Sequence, residues 1–175
     1  MWIVNSSRWY CKYWRCHTSF LLLIIILFMS YKGKFKPKNY QKYKGNPTNI
    51  TYRSLLERRF MVYCDETSSI LEWSSEEVVV PYVSPVDNRY HRYFVDFWMK
   101  YKDKNGIIKS VLIEVKPDIQ TRPPVRKNTP NGKPTRRFIN EVMTWGVNQA
   151  KWEAATKYSI ERNWEFKIIT DKDLR

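Results

Sequence analysis

The spacing of apolar positions changes repeatedly along this chain, and each change marks an element. Phe20 to Met29 is wholly apolar, whereas 31–47 has no period and mixes several Lys with two Pro and two Gly. Tyr52, Leu55, Leu56, Phe60 and Tyr63 then recur at helical spacing and predict a helix over 51–64. Runs rich in β-branched and aromatic residues follow at Glu77–Tyr82 and Arg89–Tyr101, and Ser110–Lys116 reads as a buried strand stopped by Pro117. Ser84–Asn88 is a turn, and Asn105-Gly106 is a strong hairpin signal, so the three runs predict an antiparallel meander. Residues 117–134 hold five prolines and no period. Phe138, Ile139, Val142 and Trp145 then predict a long helix from Arg136 to about Ser159, and Glu165–Thr170 reads as a last strand. The predicted order is α-β-β-β-α-β, an α/β domain over 51–175 with a mixed sheet flanked by helices. An extended basic arm at 29–50 and a leader at 1–28 precede it.

Charges inside the strands change this picture. On Ser110–Lys116 the alternation puts Leu112, Glu114 and Lys116 on one face and Val111, Ile113 and Val115 on the other. Either this is a surface strand with a Glu/Lys stripe, or the two charges have a task that offsets their desolvation. Asp96 is the acid of the preceding strand, between apolar Val95 and Phe97. Asp disfavours strands. The hairpin brings it toward Glu114 and Lys116, which predicts a metal site with an attendant lysine. Glu57 lies beside the apolar stripe of the first helix, where it either pairs with Arg53 or Arg58 at the surface or points into a site. His91 reads as structural or DNA-facing, and Gln149 and Lys151 can approach the site or DNA, though no spacing demands it.

Composition bears on partners. The formal net charge of +14 points to a polyanion. Lys interleaved with Tyr and Phe over 31–47 suits phosphate contact with base stacking, or else a solvated tail. The proline-rich stretch is a DNA-embracing basic loop or a solvated one. Lys34, Lys36, Arg122, Arg126, Lys127 and Arg136 are the DNA-contact candidates. Cys11, Cys16 and Cys64 make no metal-ligand set, which suggests a reducing compartment and no zinc. The apolar run of the leader is too short for an ordinary membrane span of roughly 20 residues. It suits a signal-peptide core, but no small-residue cleavage site follows. The leader is read as an over-extended gene start at Met29, with a membrane anchor or a partner segment as alternatives. Without Arg8, Lys12 and Arg15 the charge is still +11.

Asp96, a hairpin, then Glu114-Val115-Lys116 resembles the PD-(D/E)xK nuclease superfamily. Val95 stands where that pattern has proline. Met29 to Asn39, Tyr52 to Phe60, Arg92 to Phe97 and Ile113 to Pro117 are also similar to the head completion nucleases of tailed phages, and the Glu57, Asp96 and Lys116 positions to the endonuclease subunit of some cut-and-paste transposons. The resemblance implies a restriction-endonuclease-like fold. It implies that Asp96 and Glu114, with Glu57 from the early helix, hold Mg²⁺ or Mn²⁺ while Lys116 helps the attacking water. It further implies a double-stranded DNA substrate, phage head or portal proteins as partners, no membrane, and a place in the host cytoplasm during assembly or in the virion. The alternative is a non-catalytic DNA-binding or portal-plugging protein on the same fold.

Overall fold

In the computed structural model, which describes residues 31–126 and 132–174, the described chain runs through ten α-helices and β-strands, with two short 3-10 helices between them. These are β1 (Gly33–Phe35), β2 (Ile50–Tyr52), α1 (Leu55–Glu66), β3 (Ile70–Ser75), β4 (Val79–Val83), β5 (Tyr90–Phe94), β6 (Phe97–Lys102), β7 (Ile108–Lys116), α2 (Arg136–Ile160) and β8 (Glu165–Thr170). Residues 32–175 form one unit. The leader at 1–28 and Lys127 lie outside the described residues.

The central sheet has the order β3-β6-β7-β8. Its first two pairs are antiparallel and β7–β8 is parallel, so the sheet is mixed. A parallel neighbour needs a long crossover, and α2 supplies it. Period-two alternation along β7 sets the two layers. Val111, Ile113 and Val115 pack with Trp73, Phe97 and the α1 residues Phe60, Met61 and Cys64. Leu112, facing the other way, packs with Val80, Tyr82, Tyr93, Val95 and Ala155 of α2. A helix thus covers each face, as expected.

Several boundaries and pairings differ from the sequence reading. The run 89–101 is not one strand. It breaks at Val95-Asp96, where the Val95 N–H donates to the Val78 carbonyl and the Asp96 carbonyl accepts from Glu76 N–H. β5 pairs only with β4 as a separate ribbon, while β6 enters the central sheet. The expected three-strand meander is therefore not formed. The place beside β6 belongs to β3, whose alternation is interrupted by a register shift between Ile70 and Glu72. The Lys102–Gly106 hairpin is as predicted: Gly106 takes φ +81°, and the Asp103 carboxylate accepts the Asn105 and Ile107 N–H groups.

The basic segment is largely extended, but it is docked rather than free. Its β1 pairs with β2, so α1 starts at Leu55 and not at 51. At Gly33 the strands approach closely: a Cβ would meet the Tyr52 hydroxyl at 2.5 Å, so a larger residue would have to displace that side chain. Phe35 and Tyr43 enter the core, Tyr43 edge-on to Trp73 at 4.8 Å. Buried Asp65 accepts the Lys38 and Asn39 N–H groups at 2.7 and 3.1 Å. Lys42 donates to the Asp65 and Thr67 carbonyls at the end of α1. Phe35 and Tyr43 are thus core residues and not stacking platforms.

The start of α1 is fixed by a capping box. Ser54 Oγ accepts the Glu57 N–H at 3.1 Å, and the Glu57 carboxylate accepts from Arg53 N–H at 2.7 Å and Ser54 Oγ at 2.9 Å. Ser54→Ala is expected to cost about 1 kcal/mol in urea unfolding, the usual worth of such a cap. An unchanged midpoint would show that the box contributes nothing.

Candidate active site

β7 carries Glu114 and Lys116 on one face for the reason read from the sequence: they are two residues apart on a strand. Asp96 joins them by a different route. In the β6–β7 ladder Phe97 faces Ile113, and beyond it the β6 backbone turns away toward the ribbon. The Asp96 carboxylate takes over the ladder's next task, with Oδ2 accepting the Val115 N–H at 2.9 Å. The local break explains why a strand-disfavouring residue sits there, and it ties Asp96 to the segment that carries Glu114.

Glu114 is 3% exposed, and both its oxygens are engaged. Oε1 meets Lys116 Nζ at 2.7 Å, and Oε2 accepts the Tyr93 hydroxyl at 2.5 Å. Burial and the Glu114 charge push Asp96 up to about 8, against the pull of Lys116 and the Val115 N–H; Glu57 adds to the rise. For Lys116, burial opposes the charge, but Asp96 and Glu114 outweigh it and the net direction is up, so it stands as an ammonium. Burial first, then Glu114, raises the Tyr93 phenol far above its ordinary range, which makes it a permanent donor. The Lys151 ammonium of α2 lies 5.5 Å from the Tyr93 ring and 5.7 Å from that of Tyr82.

The structure brings together Asp96, Glu114 and Lys116. Glu57 is near enough for its charge to reach Asp96 and Lys116, yet its carboxylate is spent on the capping box. Among the described residues no group of three His, Cys, Asp or Glu side chains is gathered at metal-holding distance. The Asp96–Glu114 pair still suits a hard divalent cation: both donors are oxygens, their like charges oppose each other, and Asp96 Oδ1 accepts no hydrogen bond among the described residues.

The DNA-contact candidates fare unequally. Lys34 donates to Asn49 Oδ1, and Arg122 pairs with Asp118 at 2.7 Å. Arg126 donates to the Gly132 carbonyl. Lys36 and Arg136 form no ion pair among the described residues, and Arg136 is exposed at the start of α2. The sequence reading missed Tyr93. In an unbroken strand it would lie on the face opposite Asp96; the break at 95–96 removes that constraint. Lys151, which the sequence allows near the site or DNA, lies against the rings of Tyr82 and Tyr93. His91 pairs with Asp87 at the surface.

Among the described residues no helix is long and apolar enough to cross a membrane. Residues 67–171 match the model of the TnsA-like endonuclease N-terminal domain, a span that includes Asp96, Glu114 and Lys116. The head completion nuclease of Enterobacteria phage T4 is 42% identical over 147 residues, covering 84% of this chain and 95% of that protein. The mixed sheet with helices on both faces is accordingly restriction-endonuclease-like. By its sequence, the chain belongs to the head completion nuclease family, built on a TnsA-like endonuclease domain.

Proposed function

We propose that this protein is a metal-dependent DNA nuclease that hydrolyses phosphodiester bonds of double-stranded DNA during phage head completion. The supporting observation is the convergence of two carboxylates and an ammonium at the end of β7, where burial and then the Glu114 charge push Asp96 up. Asp96 and Glu114 would hold Mg²⁺ or Mn²⁺, with Glu57 contributing charge from beside them. A bound divalent cation supplies charge relief at the scissile phosphate. Lys116, cationic at neutral pH, donates hydrogen bonds to the phosphate or the attacking water and offsets negative charge as it develops. It is therefore a donor in this scheme rather than a neutral base. Asp96, anchored through Oδ2, presents Oδ1. The host cytoplasm, where heads mature, is the proposed place of action, with head or portal proteins as partners.

The direct test incubates the purified chain with linear and supercoiled duplex DNA in Mg²⁺ and in EDTA. Cleavage only with Mg²⁺ is expected. Duplex binding with no cleavage in Mg²⁺ or Mn²⁺ would favour the non-catalytic, portal-plugging alternative.

Salt dependence tests the basic surface separately. Each phosphate neutralised contributes roughly 0.9 to the slope of log affinity against log salt. Arg136→Ala is expected to flatten that slope by about this amount in fluorescence anisotropy with duplex DNA. Arg122→Ala should flatten it less, because Asp118 already offsets its charge. Equal slopes for wild type and Arg136→Ala would remove this residue from the DNA path.

A further inference from the structure

We propose that Tyr93 is a positioning residue that fixes which oxygen of Glu114 is offered to the cation, and thereby favours Mg²⁺ and Mn²⁺ over Ca²⁺. This rests on Asp96 and Glu114 being the cation's carboxylates. The two oxygens of Glu114 have unlike partners. Oε1 faces Lys116, whose side chain is 24% exposed and can swing to solvent. Oε2 faces the hydroxyl of Tyr93, which is 4% exposed and packed with Val80, Tyr82, Val95 and Leu112. The Lys151 ammonium spans the Tyr82 and Tyr93 rings and holds them together. Among the described residues the phenol donates no hydrogen bond other than the one to Oε2. Leaving it unpaired would cost the desolvation of a buried hydroxyl, whereas Lys116 regains water when displaced.

A cation approaching Glu114 therefore replaces Lys116 at Oε1 and leaves Tyr93 on Oε2. The carboxylate is held to one-oxygen ligation. Small octahedral Mg²⁺ and Mn²⁺ accept this geometry, whereas Ca²⁺ gains from bidentate carboxylates and a larger shell. Removing the phenol frees Oε2, which loosens Glu114 and permits bidentate binding.

The test uses the full chain carrying Tyr93→Phe, which keeps the ring and its packing. Mn²⁺ binding without DNA is followed by electron paramagnetic resonance of the free ion, and Ca²⁺ by competition against Mn²⁺. Mn²⁺ affinity is expected to fall about 10–100-fold, the usual effect of losing a hydrogen bond to a ligating group. Ca²⁺ affinity should fall less, so that the Mn²⁺/Ca²⁺ affinity ratio drops by about fivefold or more. The Mg²⁺ concentration for half-maximal cleavage should rise in parallel, with activity recovered at high Mg²⁺. A purely packing role would leave the ion ratio unchanged, and that result, or Mn²⁺ affinity within about twofold of wild type, overturns the proposal. Should Tyr93→Phe fail to fold, the wild-type chain crystallised with Mn²⁺ decides. Ligation through Oε1 alone with Tyr93 on Oε2 supports it; bidentate Glu114 or a phenol turned away overturns it. Asp96→Asn separates the two levels. If it retains wild-type Mn²⁺ affinity, the carboxylate-pair reading falls and this inference with it. If it loses Mn²⁺ while Tyr93→Phe does not, the inference alone falls.

Discussion

Glu114→Gln is expected to lower single-turnover DNA cleavage in Mg²⁺ by about a thousandfold, with duplex affinity near that of wild type. The two side chains have the same shape, and the amide oxygen can still accept from Tyr93, so the packing around Leu112 and Tyr93 should survive. What is lost is one negative charge beside Asp96, and with it the attraction for a divalent cation. The amide also no longer pairs with Lys116, so the ammonium loses the carboxylate that keeps it at the site, at 2.7 Å, until a cation takes Oε1. Two elements of the proposed chemistry therefore fail together, which is why the effect is large. Lys116→Ala should fail through the second element alone, losing cleavage while Mn²⁺ still binds. Circular dichroism must match wild type for the comparison to count. Cleavage by Glu114→Gln at a tenth of the wild-type rate or better would sink the assignment.

How legible these features were depended on whether local pattern or tertiary contact decides them. β8 and the extent of α2 follow from clean periodicity, and the structure places them at Glu165–Thr170 and Arg136–Ile160. Glu114 and Lys116 share a face because strand geometry demands it. Asp96 stood out as an acid among apolar neighbours, although the reason for its place is a strand break that no period announces. β3 was hidden because its sequence Ile70-Leu71-Glu72-Trp73-Ser74-Ser75 does not alternate, and the register shift absorbs the irregularity.

The basic segment misleads for another reason. Lys-rich and proline-containing, it has no hydrophobic period, and its docking rests on distant contacts: the β1–β2 pairing, the carboxylates of Asp65, Glu66 and Glu72, and Phe35 and Tyr43 as isolated anchors. Composition registers its charge but not those contacts. Glu57 is the converse: its signal was present locally. Ser54-Leu55-Leu56-Glu57 has the spacing of a capping box, which by itself places the carboxylate at the helix start. Tyr93 had no local signal, since its role depends on the turn of backbone between β5 and β6.

In the metal-free protein Asp96→Asn is expected to stabilise the fold at pH 8 by about 3 kcal/mol and to flatten its pH dependence. Asp96 is pushed up to about 8, chiefly by burial and then by the Glu114 charge. Its folded form therefore binds a proton that the unfolded chain, with an ordinary carboxylate, releases near pH 4. The stability gained from that difference is fully present below the ordinary carboxylate range and is lost as pH rises toward 8. Each unit of displacement is worth about 1.36 kcal/mol, and the open side of the site, where Asp96 is only partly buried, keeps the effect below the full linkage. Asparagine is neutral throughout, and its side-chain oxygen can still accept the Val115 N–H at the strand break. Urea unfolding at pH 5 and pH 8 in EDTA makes the comparison. The wild type should lose stability between the two and the variant should not. Adding Mg²⁺ at pH 8 should then restore the wild type, since a ligand bound only to the native state stabilises it, and do little for the variant. A variant less stable than wild type at pH 8, or a wild type with no loss between pH 5 and 8, would mean that Asp96 is already relieved of its neighbours' charge without a cation. The cost at Asp96 would then no longer argue for a metal at this site.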